Sequence, residues 1–229
     1  MAEHWRIFIL SNDAAVWDAY NLLLLGPDIE RLRKLLARYD LFKRTLELPG
    51  DIVECGVLKG TSLMFFLKLL HIHAHGSNKR VIGFDMFDHF PVEAHGDHAH
   101  VEAFVTESGF QGISPESLLD GVRAAGLSTE RCDLVAGDIT QTAAAYVQRH
   151  PGLRISLLHL DLDLAEPTYA ALDAFWDRIV PGGIIALDEY AVARWSESNG
   201  VDRFFSDRSV VLKTLPWSRT PTAYIVKEN

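Results

Sequence analysis

The sequence predicts an α/β fold: a doubly wound, mostly parallel seven-stranded sheet closed at one edge by an antiparallel C-terminal hairpin. Three observations carry this expectation. Short apolar runs rich in β-branched residues alternate with segments of helical period, the pattern of a parallel sheet covered by helices on both faces. Acids stand at the C-terminal ends of those runs, as in DIVEC, VIGFD and LLHLDLD, the edge at which open α/β sheets bind their ligands. The last two β-rich runs, 210–215 and 223–226, are joined by a Pro-containing loop with no helix between them, so they pair antiparallel.

At 229 residues, 48% hydrophobic and 23% charged, the chain has the size of one domain. Residues 1–229 are read as a single unit with a helical N-terminal extension over 1–48. Within it, 29–46 form an amphipathic helix, with Leu32, Leu35, Leu36, Tyr39, Leu41 and Phe42 on one face and Arg31, Arg33, Lys34 and Arg38 on the other. Pro49-Gly50 ends it. Strands follow at 52–55, 81–85, 132–136, 155–162 and 183–187, with helices near 62–74, 115–124, 142–150 and 167–179. Ser114-Pro115 opens the second of these helices and Gly126 stops it. The stretch 88–112, with Phe90, Phe104 and Phe110, is too long for a plain connection and reads as a lid over the acceptor, the alternative being a short packed helix over 97–106.

The balance of 22 basic against 31 acidic residues, a formal charge of -9, disfavours nucleic acid and anionic membranes as partners. It leaves a small-molecule partner, and it is compatible with a homo-oligomer. Two cysteines, Cys55 and Cys132, are too few for a disulfide framework and suit a reducing cytoplasm. The apolar runs 7–10 and 22–25 are far too short to span a bilayer, so the protein is expected to be soluble and cytoplasmic.

The segment DIVECGVLKGTS runs from a buried strand through an acid into a helix. Gly56 lets the backbone approach a ligand, and Gly60 and Thr61 open the helix that packs on the sheet. The G-x-x-x-G spacing serves a dinucleotide pyrophosphate poorly, which disfavours an NAD oxidoreductase. Glu54 repels phosphates but suits a cationic, hydroxyl-rich ligand, and S-adenosylmethionine is both. Asp85, ending VIGFD, is placed to accept from ribose hydroxyls. Asp138 is placed for an adenine amino group, with Ile139 covering the ring. Each acid alone reads equally well as a helix N-cap; three in register at successive strand ends favour a ligand.

A second set of acids, Asp161, Asp163, Asp188 and Glu189, ends the fourth and fifth strands. Neighbouring strands lie about 5 Å apart, so these carboxylates repel unless protonated or bridged by a cation, and an all-oxygen set suits magnesium, manganese or calcium. No basic residue stands beside them in sequence. The histidines of HIHAH (His71, His73, His75) and HGDHAH (His95, His98, His100) read as solvated segments rather than a zinc site. His89 lies near the acids, and His159 is expected to point away from them.

Taken together, LPGDIVECGVLKGTS, VIGFDMFDHFP, LDLDLAEPTYAAL and VPGGIIALDEY resemble class I S-adenosylmethionine-dependent methyltransferases, and among them the magnesium-dependent macrocin O-methyltransferase type that methylates sugar hydroxyls. The resemblance runs from roughly Pro27 to the C-terminus. It implies a Rossmann-like sheet, a cofactor pocket lined by Glu54, Gly56, Ser62, Asp85 and Asp138, and Mg2+ or Mn2+ held by Asp161, Asp188 and Glu189. Ala165 stands where a tyrosine often follows D-x-D-L, and Glu189 where some members carry a second aspartate. The reading is therefore methyl transfer to a hydroxyl of a sugar or glycoside, with Asp163 as general base beside the ion bound at Asp161, Glu189 competing for that role, and Trp195 stacking on the acceptor. The alternatives are a metal-independent methyltransferase, a related tailoring enzyme of natural-product biosynthesis, or a non-catalytic nucleoside-binding module.

Overall fold

The computed structural model describes residues 14–87 and 112–228. The elements are α1 (Ala14–Leu25), α2 (Ile29–Arg44), β1 (Asp51–Cys55), α3 (Thr61–His73), β2 (Val81–Asp85), α4 (Pro115–Ala124), β3 (Cys132–Ala136), α5 (Ile139–Arg149), β4 (Ile155–Leu160), α6 (Ala165–Phe175), β5 (Ile179–Leu187), α7 (Glu197–Phe204), β6 (Leu212–Lys213) and β7 (Ala223–Val226). They form one sheet in the order β3-β2-β1-β4-β5-β7-β6. The first five strands are parallel, and β7 pairs antiparallel with both β5 and β6. The expected doubly wound sheet with its C-terminal hairpin is thus present. The expected lid, with His89, His95, His98 and His100, lies outside the described residues except for Gly112.

Strand alternation sorts the core into two layers. Ile52, Leu157 and Ile184 join Leu41, Phe42, Leu63 and Phe66 on the face covered by α2, α3 and α4. Val53, Leu158 and Ile185 join Ile139, Leu172, Phe175 and Phe204 on the face covered by α5, α6 and α7. The same period aims Glu54, His159 and Asp188, each an even step from Ile52, Leu157 and Ile184, toward the α2 face. Glu54 and His159 are register partners, and His159 pairs with Ala186.

Several boundaries differ from the sequence reading, each for a local reason. β4 stops at Leu160, because Asp163 adopts a left-handed backbone (φ 62) and turns the chain into α6. β5 begins at Ile179 and passes through Pro181-Gly182, a stretch absorbed by a register irregularity opposite Ile155 and Leu157. α5 starts at Ile139, since the Asp138 carboxylate caps it by accepting from Thr140 N at 2.9 Å. α7 was not foreseen; it is only eight residues long and its buried apolar side chains are Val201 and Phe204. α1 buries none of its residues. Cys55 and Cys132 are buried free thiols. Among the described residues no helix is long and apolar enough to cross a membrane. His73 packs its ring 5.5 Å from Tyr39 and 6.1 Å from Phe42, so it belongs to the α2–α3 contact.

The sheet is tightest where β1 ends beside β4. Gly56 has φ +92, and a Cβ there would overlap the carbonyl oxygen of Asp161, whose own amide donates to Cys55 O at 2.9 Å. Gly56→Ala is expected to destabilise the fold by more than about 2 kcal/mol, combining positive-φ strain with a backbone clash that cannot relax. Gly152→Ala, where a Cβ meets nothing within 4 Å, should cost less than about 0.5 kcal/mol. Urea denaturation of the two variants checks the contrast.

Candidate active site

A cavity of about 710 Å³ opens along the C-terminal edge of the sheet. One end is walled by Gly56, Ser62, Asp85, Gly137, Asp138 and Ile139, the other by Lys34, Arg38, Asp161, Asp163, Glu189 and Trp195, and Gly112 reaches it too. Strand-end acids of both sets therefore share one cavity, although the fully buried Asp188 does not itself line it.

At the first end, Asp85 fixes the glycine loop. Its Oδ2 accepts from Val57 N (2.7 Å) and Leu58 N (2.9 Å), and its Oδ1 accepts from Phe87 N (2.8 Å). A carboxylate has about four acceptor positions, so Asp85 spends three of them on the loop while still facing the cavity. Leu58 and Phe87 both have left-handed backbones, a conformation these three bonds help to hold. Glu54 and Gly60 are absent from the cavity wall. Glu54 is fully buried beneath it, its carboxylate accepting from Ser62 Oγ, while Ser62 itself faces the cavity. Gly60 caps α3 in the left-handed region, where a Cβ would stand 2.6 Å from Leu118. Gly56 is demanded by the approach of β4, so a side chain there strikes Asp161 before any ligand.

At the second end the fold supplies what the local sequence lacked. Lys34 and Arg38, one turn apart on α2, reach across to the acids. Lys34 Nζ lies 2.6 Å from Asp188 Oδ2 and 3.5 Å from Asp161 Oδ2; Arg38 Nη2 lies 3.3 Å from Asp161 Oδ2 and 3.6 Å from Asp188 Oδ1. His159 does not point away. Residues two apart on a strand share a face, and its Nε2 lies 3.5 Å from Asp188 Oδ1 and its Nδ1 3.5 Å from Glu54 Oε1. Glu197 was missed altogether: fully buried at the start of α7, it accepts from Glu189 N at 3.1 Å, while its own amide donates to Asp163 O at 3.0 Å. A lone glutamate opening a short helix gives no sequence signal that it folds back on the strand-end acids.

The charges do not balance. Six carboxylates, of Glu54, Asp161, Asp163, Asp188, Glu189 and Glu197, meet Lys34, Arg38, Arg194 and His159. Burial would raise Asp188, but His159, Lys34 and Arg38 hold its carboxyl far below the usual carboxylate range. Burial and Arg38 oppose the His159 imidazolium, yet the carboxylates of Asp188 and Glu54 outweigh them and raise its pKa. The remaining acids carry the surplus. Burial, then neighbouring carboxylates, push Asp161 up, push Asp163 and Glu197 well up, and raise Glu189 to about 7.

This donor set fits a hard divalent cation. One ligand atom each from His159, Asp161 and Asp188 lie within 4.8 Å of one another, Asp188 Oδ1 is buried without a hydrogen-bond partner, and the surrounding surplus is negative. Glu189 lines the cavity beside this group but does not belong to it.

Three kinds of likeness accompany this geometry. A family model described as macrocin-O-methyltransferase (TylF) matches residues 26–213. A curated 8-demethyl-8-(2,3-dimethoxy-alpha-L-rhamnosyl)-tetracenomycin-C 4'-O-methyltransferase of Streptomyces olivaceus is 31% identical over 148 residues, covering 63% of this chain and 54% of that protein. The chain thus spans about half the length of this curated relative. Among solved structures, CalS11, a calicheamicin methyltransferase, is similar with a TM-score of 0.74 at 26% identity, over 99% of this chain and 91% of that one. Its apo form, described as a TDP-rhamnose 3'-O-methyltransferase, gives 0.72 at 27%, over 99% and 93%. The O-methyltransferase NovP, at 20% identity and a TM-score of 0.72 over 86% and 81%, shares the fold.

The raised Glu189 pKa sets a pH dependence. A carboxyl titrating near 7 when folded and near its ordinary 4.5 when unfolded binds more protons in the native state between those values, so it lowers stability as pH rises through that window. In protein kept free of divalent ions, Glu189→Gln should match the parent near pH 4.5 and exceed it in stability by on the order of 1 kcal/mol at pH 8, after allowance for solvent screening. Thermal melts of both proteins from pH 4.5 to 8 check this.

Proposed function

Since the chain belongs to the macrocin-O-methyltransferase family, we propose that it transfers a methyl group from S-adenosylmethionine to a hydroxyl of a sugar or glycosylated natural product, with Mg2+ or Mn2+ at the strand-end acids. The observation that carries this reading is one cavity whose glycine-loop end, with Asp85 and Asp138 in its wall, faces the acids Asp161, Asp163 and Glu189. S-adenosylmethionine supplies an electrophilic methyl group on a sulfonium, and a divalent ion supplies a Lewis acid that lowers the pKa of a bound hydroxyl. Asp161 and Asp188 are the residues to hold the ion, with Glu189 adjoining them.

The remaining roles belong to the chain's own residues. The loop fixed by Asp85, together with Gly137, Asp138 and Ile139, forms the wall for the nucleoside. Asp163 is assigned the acceptor proton. It lines the cavity beside Asp161 and Glu189 and is 8% exposed, so it is within reach of an acceptor hydroxyl there and largely shielded from bulk water. Glu189, at about 7, is the alternative base. Trp195 lines the cavity although only 6% exposed, and the Arg194 guanidinium lies 5.1 Å over its ring, so it gives the acceptor end an aromatic edge. Two of the named relatives are described as acting on rhamnosyl groups, one on a glycosylated tetracenomycin and one on TDP-rhamnose. A deoxyhexose hydroxyl, scaffold-attached or nucleotide-linked, is accordingly the acceptor class proposed here.

The test is radiolabelled methyl transfer from S-adenosylmethionine to a panel of rhamnosides and TDP-rhamnose, with and without exhaustive chelation. Activity that falls on chelation and returns with Mg2+ is expected. Asp163→Asn should lower kcat at least about a hundredfold while leaving S-adenosylhomocysteine affinity within about twofold. Undiminished turnover after chelation overturns the cation's role, and normal kcat in Asp163→Asn overturns the base assignment.

A further inference from the structure

Lys34 contacts the two carboxylates to which the cation reading assigns the ion. Its ammonium spans the two carboxylates, 2.6 Å from Asp188 Oδ2 and 3.5 Å from Asp161 Oδ2. We propose that Lys34 is a displaceable counter-ion: it competes with a divalent cation for these oxygens, and loading the site turns its side chain out into the acceptor end of the cavity. The inference rests on the cation reading given above.

Lys34 and Arg38 share the same acids but not the same freedom. The Arg38 side chain is 6% exposed, against 23% for Lys34, and its guanidinium is also wedged beside His159, with Nε 3.3 Å from Nε2. Arg38 is the fixed counter-ion, a planar group that loses its contacts if it moves. Lys34 ends in a compact, strongly hydrated charge on a flexible four-carbon stem, and it stands at the cavity wall with water in reach. Both cations lie within 3.5 Å of Asp161 Oδ2, so a divalent ion on that oxygen meets repulsion from both. Only Lys34 can relieve it by leaving. Exchange replaces one positive charge by two against an acid cluster in surplus, which favours the ion once its concentration suffices. In the structure Lys34 keeps Asp188 paired. The displaced ammonium then lies beside the acceptor, where it contributes to acceptor choice only in the loaded enzyme.

Mn2+ binding by calorimetry to the full-length parent, Lys34→Met and Lys34→Arg tests this without turnover. Removing the competitor is expected to tighten Mn2+ about tenfold in Lys34→Met, whereas Lys34→Arg should keep the parent's weaker Kd. Acetic anhydride labelling of the parent, read residue by residue by mass spectrometry, gives a second measure that needs no variant. Lys34 should label faster when Mn2+ is added, and the exposed Lys213 should not change. Equal Mn2+ affinity in the parent and Lys34→Met, with Lys34 labelling unaltered, overturns the inference and leaves the cation site standing. No Mn2+ binding to any of the three proteins overturns both.

Discussion

Asp188 follows β5, the neighbour of the central strand β4, with a carboxylate that is wholly shielded from solvent. An isolated buried charge is costly, and removing one partner of a buried pair costs about 3–5 kcal/mol, so the surrounding fold must answer it. The answer comes from three directions: Lys34 and Arg38 from α2, and His159 from the neighbouring strand. This requirement fixes how the N-terminal helix sits. α2 buries Leu41 and Phe42 against α3 and the sheet, and its i, i+4 basic pair then lies over the strand ends. Through His159 the same charge is linked to Glu54 and from there to Ser62 on the cofactor side. One buried carboxylate thereby organises a helix, three strands and the floor of the cavity.

The two ends of the cavity are stabilised by different physics. At the cofactor end, backbone geometry dominates: left-handed Leu58, Gly60 and Phe87, and a glycine pressed against a carbonyl, held in place by the Asp85 carboxylate. Such a wall is preorganised and should change little on binding. At the acid end, electrostatics dominates, and the arrangement is complete only if further positive charge or protons arrive. In the proposed reaction the rigid wall would aim the sulfonium and the adjustable charge would activate a neutral hydroxyl.

The sheet was legible in the sequence because its inner strands are buried on both faces and read as apolar runs, as β2 and β4 do; the half-buried β3 was placed although Asp133 interrupts its run. The strand-end acids were legible for the same reason, as polar residues interrupting apolar runs. What the sequence hid was long-range. Lys34 meets Asp161 and Asp188 from 127 and 154 positions away, so the acids looked unneutralised. Arg38 was placed on a polar helix face, yet it is buried because that face looks onto charges and not onto water. His159 was misread although strand parity puts it with Asp161. Asp85 and Asp138 were read as ligand contacts, but both also serve the chain, one holding loop amides and the other capping α5. The short α7 and its Glu197 carry too little periodic signal to be foreseen.

The most direct test of the account is a crystal of the protein grown with S-adenosylhomocysteine and Mn2+, measured at the manganese absorption edge. The account predicts one anomalous peak in contact with carboxylate oxygens of Asp161 and Asp188, with the Lys34 ammonium withdrawn from both and Arg38 still beside His159. Crystals that bind S-adenosylhomocysteine along the Gly56–Asp138 wall, yet show no peak at the acids and leave Lys34 bridging them, would contradict it.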